Sequence, residues 1–475
     1  MLGILAKILV YSNEKDIKAF SEQSLRFNYA IYKLYQDNSW WKQKVEYLLN
    51  KDFGALKIDW YDVYDKIYNR RKDKKRNLER VFLRAAQNGN INTVNILILA
   101  GTNTTASNNY AIRLASQKGH VEVVKLLLQQ PGVEPTAYNN SAIRFASLDG
   151  HVEVVKLLLE QPGVDPTADD NYAIRAASQT GHLEVVKLLL EQPGVDPTAN
   201  DNEAIGYASF NGDIEVVKLL LQQPGVDPTA NDNYAIRSAS EEGHIDVVKL
   251  LLEQPGVDPT ADNNAAILLA SSYGHVEVVK LLLKHGADPT ANDNYAIRKA
   301  IKKGYVEVVK LLLQQPGVDP TANDNFAIRW ASRNGDVEMV KILLQYPKVD
   351  PTADNNEAIR WSSANGHLET VKLLLQHPDV DPTADNNFAI RAASEKGHLE
   401  IVRLLLKQPK VDPTVNNNQA LRGAHRYNHV DIVKLLLEQP QVVQKMKKVI
   451  QFKETAQNIG LPKELTDSFM KTLFN

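Results

Sequence analysis

Between residues 227 and 255 the chain reads DPTANDNYAIRSASEEGHIDVVKLLLEQP. Ile236 and Ala239 stand three apart in an otherwise polar stretch, which predicts a short helix from Ala235 to Glu242 with one apolar face. Gly243 supplies the left-handed conformation that ends such a helix, and His244 falls where the N-cap of a second one belongs. VVKLLL predicts that second, more apolar helix; Pro255 stops it, and GVDPT brings the chain back in an extended loop. Helices of roughly eight to ten residues are marginal alone in water, so their apolar faces need neighbours above and below.

The neighbours are written into the same chain. DPTA begins at 165, 196, 227 and 258 and again at 288, 319, 350 and 381, with EPTA at 134 and DPTV at 412. The step is 31 residues except from 258 to 288, where it is 30. A fixed period of this size means stacked units, each burying its face against the next. The short unit reads KHGADPTA at 284–291, where its neighbours read QQPGVDPTA or EQPGVDPTA.

GHVEVVKLLL, repeated at 119–128, 150–159 and 274–283, resembles the second helix of ankyrin repeats, and KHGADPTA is similar to that family's usual loop. The likeness covers about three quarters of the chain and implies an all-α ankyrin-repeat solenoid of about twelve helix pairs, from 79–101 to 419–439, in an array over 79–440. The family's usual unit is about 33 residues and opens its first helix with T-P-L-H-x-A; here the corresponding words are NYAIRSAS and NFAIRWAS. A 31-residue step with a loop one residue longer therefore implies that about three residues are missing before the first helix, and that the projecting β-hairpin finger is shorter. Asn and Asp at that place suit turns and caps. The AIR wording is similar to repeats of large DNA viruses and their amoebal hosts.

Comparing the copies with one another separates scaffold from specificity. Most positions are nearly fixed, but three in the first helix vary, at i, i+4 and i+7 on one face. They are Phe326, Trp330 and Arg333 in the ninth unit and Glu357, Trp361 and Ala364 in the tenth. The fifth carries Glu203, Tyr207 and Phe210, and the third Ser141, Phe145 and Leu148. The resemblance implies that this face lines the concave groove, where a protein partner would sit. Aromatic and arginine side chains dominate such contacts, which makes Trp330 and Trp361 with Arg329, Arg333 and Arg360 the expected anchor, and Phe326, Tyr207, Phe210 and Phe145 further candidates. The other reading is that the large side chains only fill space against the next repeat. The recurrent Tyr110, Tyr172, Tyr234 and Tyr295 fit that structural role.

Candidate chemistry changes this picture little. His120, His151, His182, His244, His275, His367, His398 and His429 recur at one position, yet units about 8–10 Å apart cannot share a metal whose donors lie about 2 Å from it. Asn90, Asp213 and Asp336 take the same place, which suits helix capping or packing. The arginine of AIR suits bonds to loop carbonyls or to Asp side chains of the next unit. No nucleophile–base pair, phosphate-binding glycine loop or carboxylate pair rises above the repeat, so no enzyme, cofactor, metal or small-molecule substrate is expected. There are no cysteines and the net charge is −2, which fits an intracellular protein, cytoplasmic or nuclear, with no membrane or nucleic acid drawing it by charge. The one basic run, NRRKDKKRNLER at 69–80, is either a solvated linker, placed at 69–78, or a nuclear-localisation or nucleic-acid contact.

Residues 1–68 do not repeat. Leu5, Ile8 and Leu9 share one helical face and Ile17 with Phe20 another, and the pair Trp40 and Trp41 follows Asp37-Asn38-Ser39. This arrangement resembles an F-box, which implies docking on the linker subunit of a cullin-type ubiquitin ligase while the repeats hold the target. The family's opening Leu-Pro is missing here. The alternative is a helical cap over the first repeat. A further cap is expected from residues 441–475, with one amphipathic helix in QVVQKMKKVIQFKETAQ and a second following Pro462.

Overall fold

In the computed structural model the repeat accounts for the paired helices of the described residues. The structure describes residues 42, 43, 46 and 76–458. Leu5, Ile8, Leu9, Ile17, Phe20, Trp40 and Trp41 lie outside the described residues, as does the second C-terminal helix expected after Pro462.

The described helices are α1 (Arg76–Gln87), α2 (Ile91–Leu99), α3 (Ala106–Gln117), α4 (Val121–Leu128), α5 (Ala137–Leu148), α6 (Val152–Leu159), α7 (Ala168–Gln179), α8 (Leu183–Leu190), α9 (Ala199–Asn211) and α10 (Ile214–Leu221). They continue with α11 (Ala230–Glu242), α12 (Ile245–Leu252), α13 (Ala261–Tyr273), α14 (Val276–Lys284), α15 (Ala291–Lys303), α16 (Val306–Leu313), α17 (Ala322–Asn334) and α18 (Val337–Leu343). The last are α19 (Ala353–Ala364), α20 (Leu368–Leu374), α21 (Ala384–Lys396), α22 (Leu399–Leu406), α23 (Val415–Arg426), α24 (Val430–Leu437) and α25 (Pro440–Asn458). Among the described residues these make twelve consecutive helix pairs followed by α25, with no strand. The first described helix includes Arg76, so the end of the basic run is part of it.

The chain divides into two compact units, residues 1–235 and 236–475. Within each, the first helix of a pair lies against the first helices of its neighbours. The ninth pair shows the burial pattern: Ala327, Ile328 and Ala331 of α17 and Met339, Val340 and Leu343 of α18 are at most 3 % exposed. Fully burying one such Val, Leu, Ile or Met contributes about 1.5–3 kcal/mol, which is what short helices need from stacking.

The hairpin finger is replaced altogether. Before each first helix from α3 onward, three consecutive residues take left-handed backbone, for example Asn323, Asp324 and Asn325 with φ of 57°, 55° and 55°. Such a conformation costs an ordinary L-residue roughly 1–2 kcal/mol, and Asn and Asp tolerate it best. The right-handed helix therefore starts only after Asn325, as the apolar spacing predicts for the equivalent helix beginning near Ala235. Three bonds secure the turn. Arg329, the arginine of AIR, donates from Nε to the carbonyl of Asp324 (2.9 Å) and from Nη2 to that of Asn323 (3.3 Å). Asn325 Oδ1 accepts from the backbone N–H of Asp350 in the next repeat at 2.8 Å. The same Asn bond recurs from Asn109 to Glu134 and from Asn387 to Asp412.

The short loop keeps this tie. Its helix α14 runs one residue further, to Lys284, and His285 Nδ1 reaches the Leu281 carbonyl at 2.8 Å, the duty Gln315 Nε2 performs for Leu311 one repeat later. Asn264 Oδ1 still accepts from Asp288 N–H, at 2.6 Å.

Candidate functional site

The histidine column is structural, but not through capping. His120, His151, His275, His367, His398 and His429 reach back with Nε2 to a carbonyl at the end of the preceding first helix, at 2.8–3.2 Å. None of their side chains caps its own helix, whereas Asn90 and Asp336 do, accepting from Thr93 N–H and Met339 N–H. Each ring lies over the preceding repeat's glycine: a Cβ on Gly335, where φ is +74°, would stand 2.3 Å from His367. Capping fails because the imidazole is too long to turn back on its own helix while it seats on that glycine. Among the described residues, no cluster of His, Asp and Glu is arranged to hold a metal ion.

In the unit from 236 to 475 the variable face of the first helices forms a cation–aromatic ladder. Phe326 stacks on Trp330 with ring centroids 5.6 Å apart, one helical turn along α17. Lys302 Nζ of α15 stands 5.3 Å from the Trp330 ring, and Arg333 Cζ of α17 stands 4.6 Å from Trp361 of α19. Trp361 in turn meets Phe388 of α21 at 5.6 Å. Both tryptophans are half-buried and Arg333 is exposed, with no ion pair to it among the described residues. A cation over an indole gains about 0.5–1 kcal/mol when exposed and more when dry, so the ladder is part packing and part prepared contact surface.

The structure sorts the expected arginines by their bonds. Arg329 is held by two turn carbonyls and by Asp354 (3.2 Å) and Glu357 of the next repeat. Arg360 is held by the carbonyls of Asn355 and Asp354, both at 2.9 Å, and faces Asp385 at 3.5 Å. Their guanidinium groups serve the scaffold; Arg333 alone of the three points a cation outward.

The unit from 1 to 235 carries two further patches. Phe145 meets Tyr172 edge-on at 6.5 Å, with Arg144 Cζ 5.3 Å from the tyrosine ring and its guanidinium paired with Asp169. In the fifth repeat the Tyr207 hydroxyl donates to Glu203 Oε1 at 2.5 Å, and Phe210 is exposed. That hydrogen bond, with burial and the carboxylate charge behind it, pushes the Tyr207 pKa up to about 12. Burial pushes Glu203 up, but bonds from Tyr207, Asn200 and Arg175 outweigh it and hold the carboxyl below its ordinary value.

Variation among the copies also marks Lys302 of the eighth repeat, but Phe388, Tyr138 and the meeting of Lys302 with Trp330 escaped the sequence reading. Lys302 and Phe388 complete the ladder from neighbouring repeats, and which side chain meets which across repeats is set by stacking, not by helical period. Tyr138 was visible: it stands alone among Asn, Asp and Ser in the left-handed triplets, at φ 57° and 65 % exposed, with Arg113 4.8 Å from its ring.

A family model described as ankyrin repeats (3 copies) matches residues 82–170, 167–232, 236–324, 297–386 and 361–447. A search of curated proteins returned no match. No helix among the described residues is long and apolar enough to cross a membrane.

Proposed function

This chain belongs to the ankyrin-repeat family, and from that premise we propose that it is a non-catalytic scaffold holding a protein partner on the variable face of its first helices. The observation that carries the reading is the division of labour within one helix. Ala, Ile and Arg of AIR are spent on stacking and on the turn, while Trp330, Arg333 and Trp361 occupy positions that stacking leaves open to choice. In ankyrin arrays this face lines the concave groove. Half-buried aromatics with a cation alongside bury area at low entropic cost and supply the usual centre of a protein interface. Trp330→Ala and Trp361→Ala should each weaken a captured partner by about 2 kcal/mol or more, measured by calorimetry with melting curves as the folding control. Unchanged affinity in both variants would overturn the reading.

The ligase-adaptor function extends this reading and rests on the F-box-like sequence of residues 1–68. An affinity pull-down from eukaryotic extract, full chain beside a chain lacking residues 1–68, tests it. Cullin and linker subunits retained only by the full chain support the adaptor. Their absence from both, with another protein retained by both, leaves a passive scaffold or decoy whose N-terminal segment serves as a cap.

A further inference from the structure

The seventh and eighth repeats depart from the repeat consensus side by side. In the seventh repeat the arginine of AIR is Leu268, nearly buried, followed by the half-buried Leu269, so the clasp on the preceding turn is replaced by apolar side chains. The short loop follows. The eighth repeat then carries Lys299, Lys302 and Lys303 on α15, Ile301 where other repeats have a buried serine, and Tyr305 in place of the seated histidine. Between α13 and α15 these changes leave a cleft of about 250 Å³ whose lining includes Leu268, Leu269, Tyr273, Tyr295, Lys299 and Lys303. Drug-sized ligand sites run to about 300–1,000 Å³, so this cleft takes a side chain or two and not a cofactor.

Its cations gather along one margin. Lys299 Nζ lies 4.9 Å from the Tyr295 ring and Lys302 Nζ 5.3 Å from that of Trp330, and among the described residues no carboxylate pairs with Lys299, Lys302, Lys303 or Arg333. The cations therefore run from the cleft onto the tryptophan ladder with their charge uncompensated. At the cleft's other margin Glu241 bonds to the Tyr273 hydroxyl, which gives the surface a direction.

We propose that this cleft docks an acidic linear segment of the protein partner, one apolar side chain seated on Leu268 and Leu269 and its carboxylates on Lys299, Lys303, Lys302 and Arg333; the assignment rests on the protein-binding reading above. Charge complementarity selects this occupant: an anionic segment neutralises unpaired cations, whereas a basic one meets four like charges.

The test is affinity selection of a random linear peptide library displayed on phage, on the full chain and on its Lys299→Glu/Lys302→Glu/Lys303→Glu variant, at low and high salt. The wild type should enrich acidic peptides with an apolar anchor. Their binding should fall roughly tenfold or more on the variant and weaken with salt. Lys→Gln at the same three positions should give an intermediate loss, and it carries the comparison if the reversal variant melts below the wild type. Enriched peptides that are not acidic, or that bind the variant equally, overturn the proposal. No enrichment, while Trp330-dependent partner capture persists, overturns the acidic-segment docking and leaves the scaffold standing. No enrichment and no Trp330-dependent capture overturns both.

Discussion

Asn387 does two jobs with one short side chain: it accepts a left-handed backbone at φ 55°, and its Oδ1 takes the Asp412 N–H of the next repeat at 2.8 Å. Glycine can do only the first, and alanine neither. Asn387→Ala should therefore cost about 2–3 kcal/mol, the left-handed strain plus a lost buried bond, and Asn387→Gly about half of that. Urea unfolding of the two variants beside the wild type reads the difference; equal losses would remove the strain from the account. At Tyr207 the raised pKa makes a pH prediction. The folded state favours the neutral phenol, so the contribution to stability is complete below the ordinary tyrosine value near 10 and is lost as pH rises toward about 12. Ultraviolet titration should show a late-ionising tyrosine that Glu203→Gln brings back down, and Tyr207→Phe should flatten the alkaline loss of stability. At this scale the arginine of AIR was legible, because a long cation fixed beside a polar loop has carbonyls and carboxylates within reach. The left-handed triplet was not legible, since Asn and Asp mark turns, caps and left-handed residues alike.

Between elements, glycine and histidine form a joint. Gly335 and Gly286 both have positive φ, +74° and +90°, but only Gly335 has a neighbour's ring over it, while a Cβ on Gly286 would meet nothing within 4 Å. Gly286→Ala should thus cost about 1 kcal/mol of backbone strain, and Gly335→Ala appreciably more, because His367 must leave its seat. Equal thermal shifts would show that the ring is not seated as described. A second feature of the element scale runs against stability. Ser332, Ser363 and Ser394 are fully buried and their hydroxyls find no hydrogen-bond partner among the described residues, whereas the eighth repeat has Ile301 at this place, 3 % exposed. Ser363→Ala should stabilise by about 1 kcal/mol, since an unsatisfied buried hydroxyl is removed; a lower melting temperature would mean that the hydroxyl is bonded in solution. Helix spacing gave the pairs their places, but it could not disclose that the histidine belongs to the repeat before it. Such a bond spans 34 residues and is created only by stacking.

For the whole molecule, periodicity alone was enough for the twelve pairs, because the same apolar positions recur at each step and no other architecture buries them all. The C-terminal helix likewise follows its amphipathic pattern, with Val442 buried against the last repeat's core and Lys445 donating to the Thr414 carbonyl at 2.7 Å. The candidate site was legible only in part: variation among copies marks Trp330, Trp361 and Arg333, while the partnering of Lys302 and Phe388 depends on how neighbouring repeats register. The central claim is that a protein partner occupies the first-helix face. The direct measurement places a photo-crosslinking phenylalanine analogue at position 333 or, as control, at Lys280, exposed on a second helix, and compares crosslinked proteins in eukaryotic cells. The account predicts a discrete partner crosslinked from 333 and not from 280. The same partner crosslinked from 280, with none from 333, would contradict it.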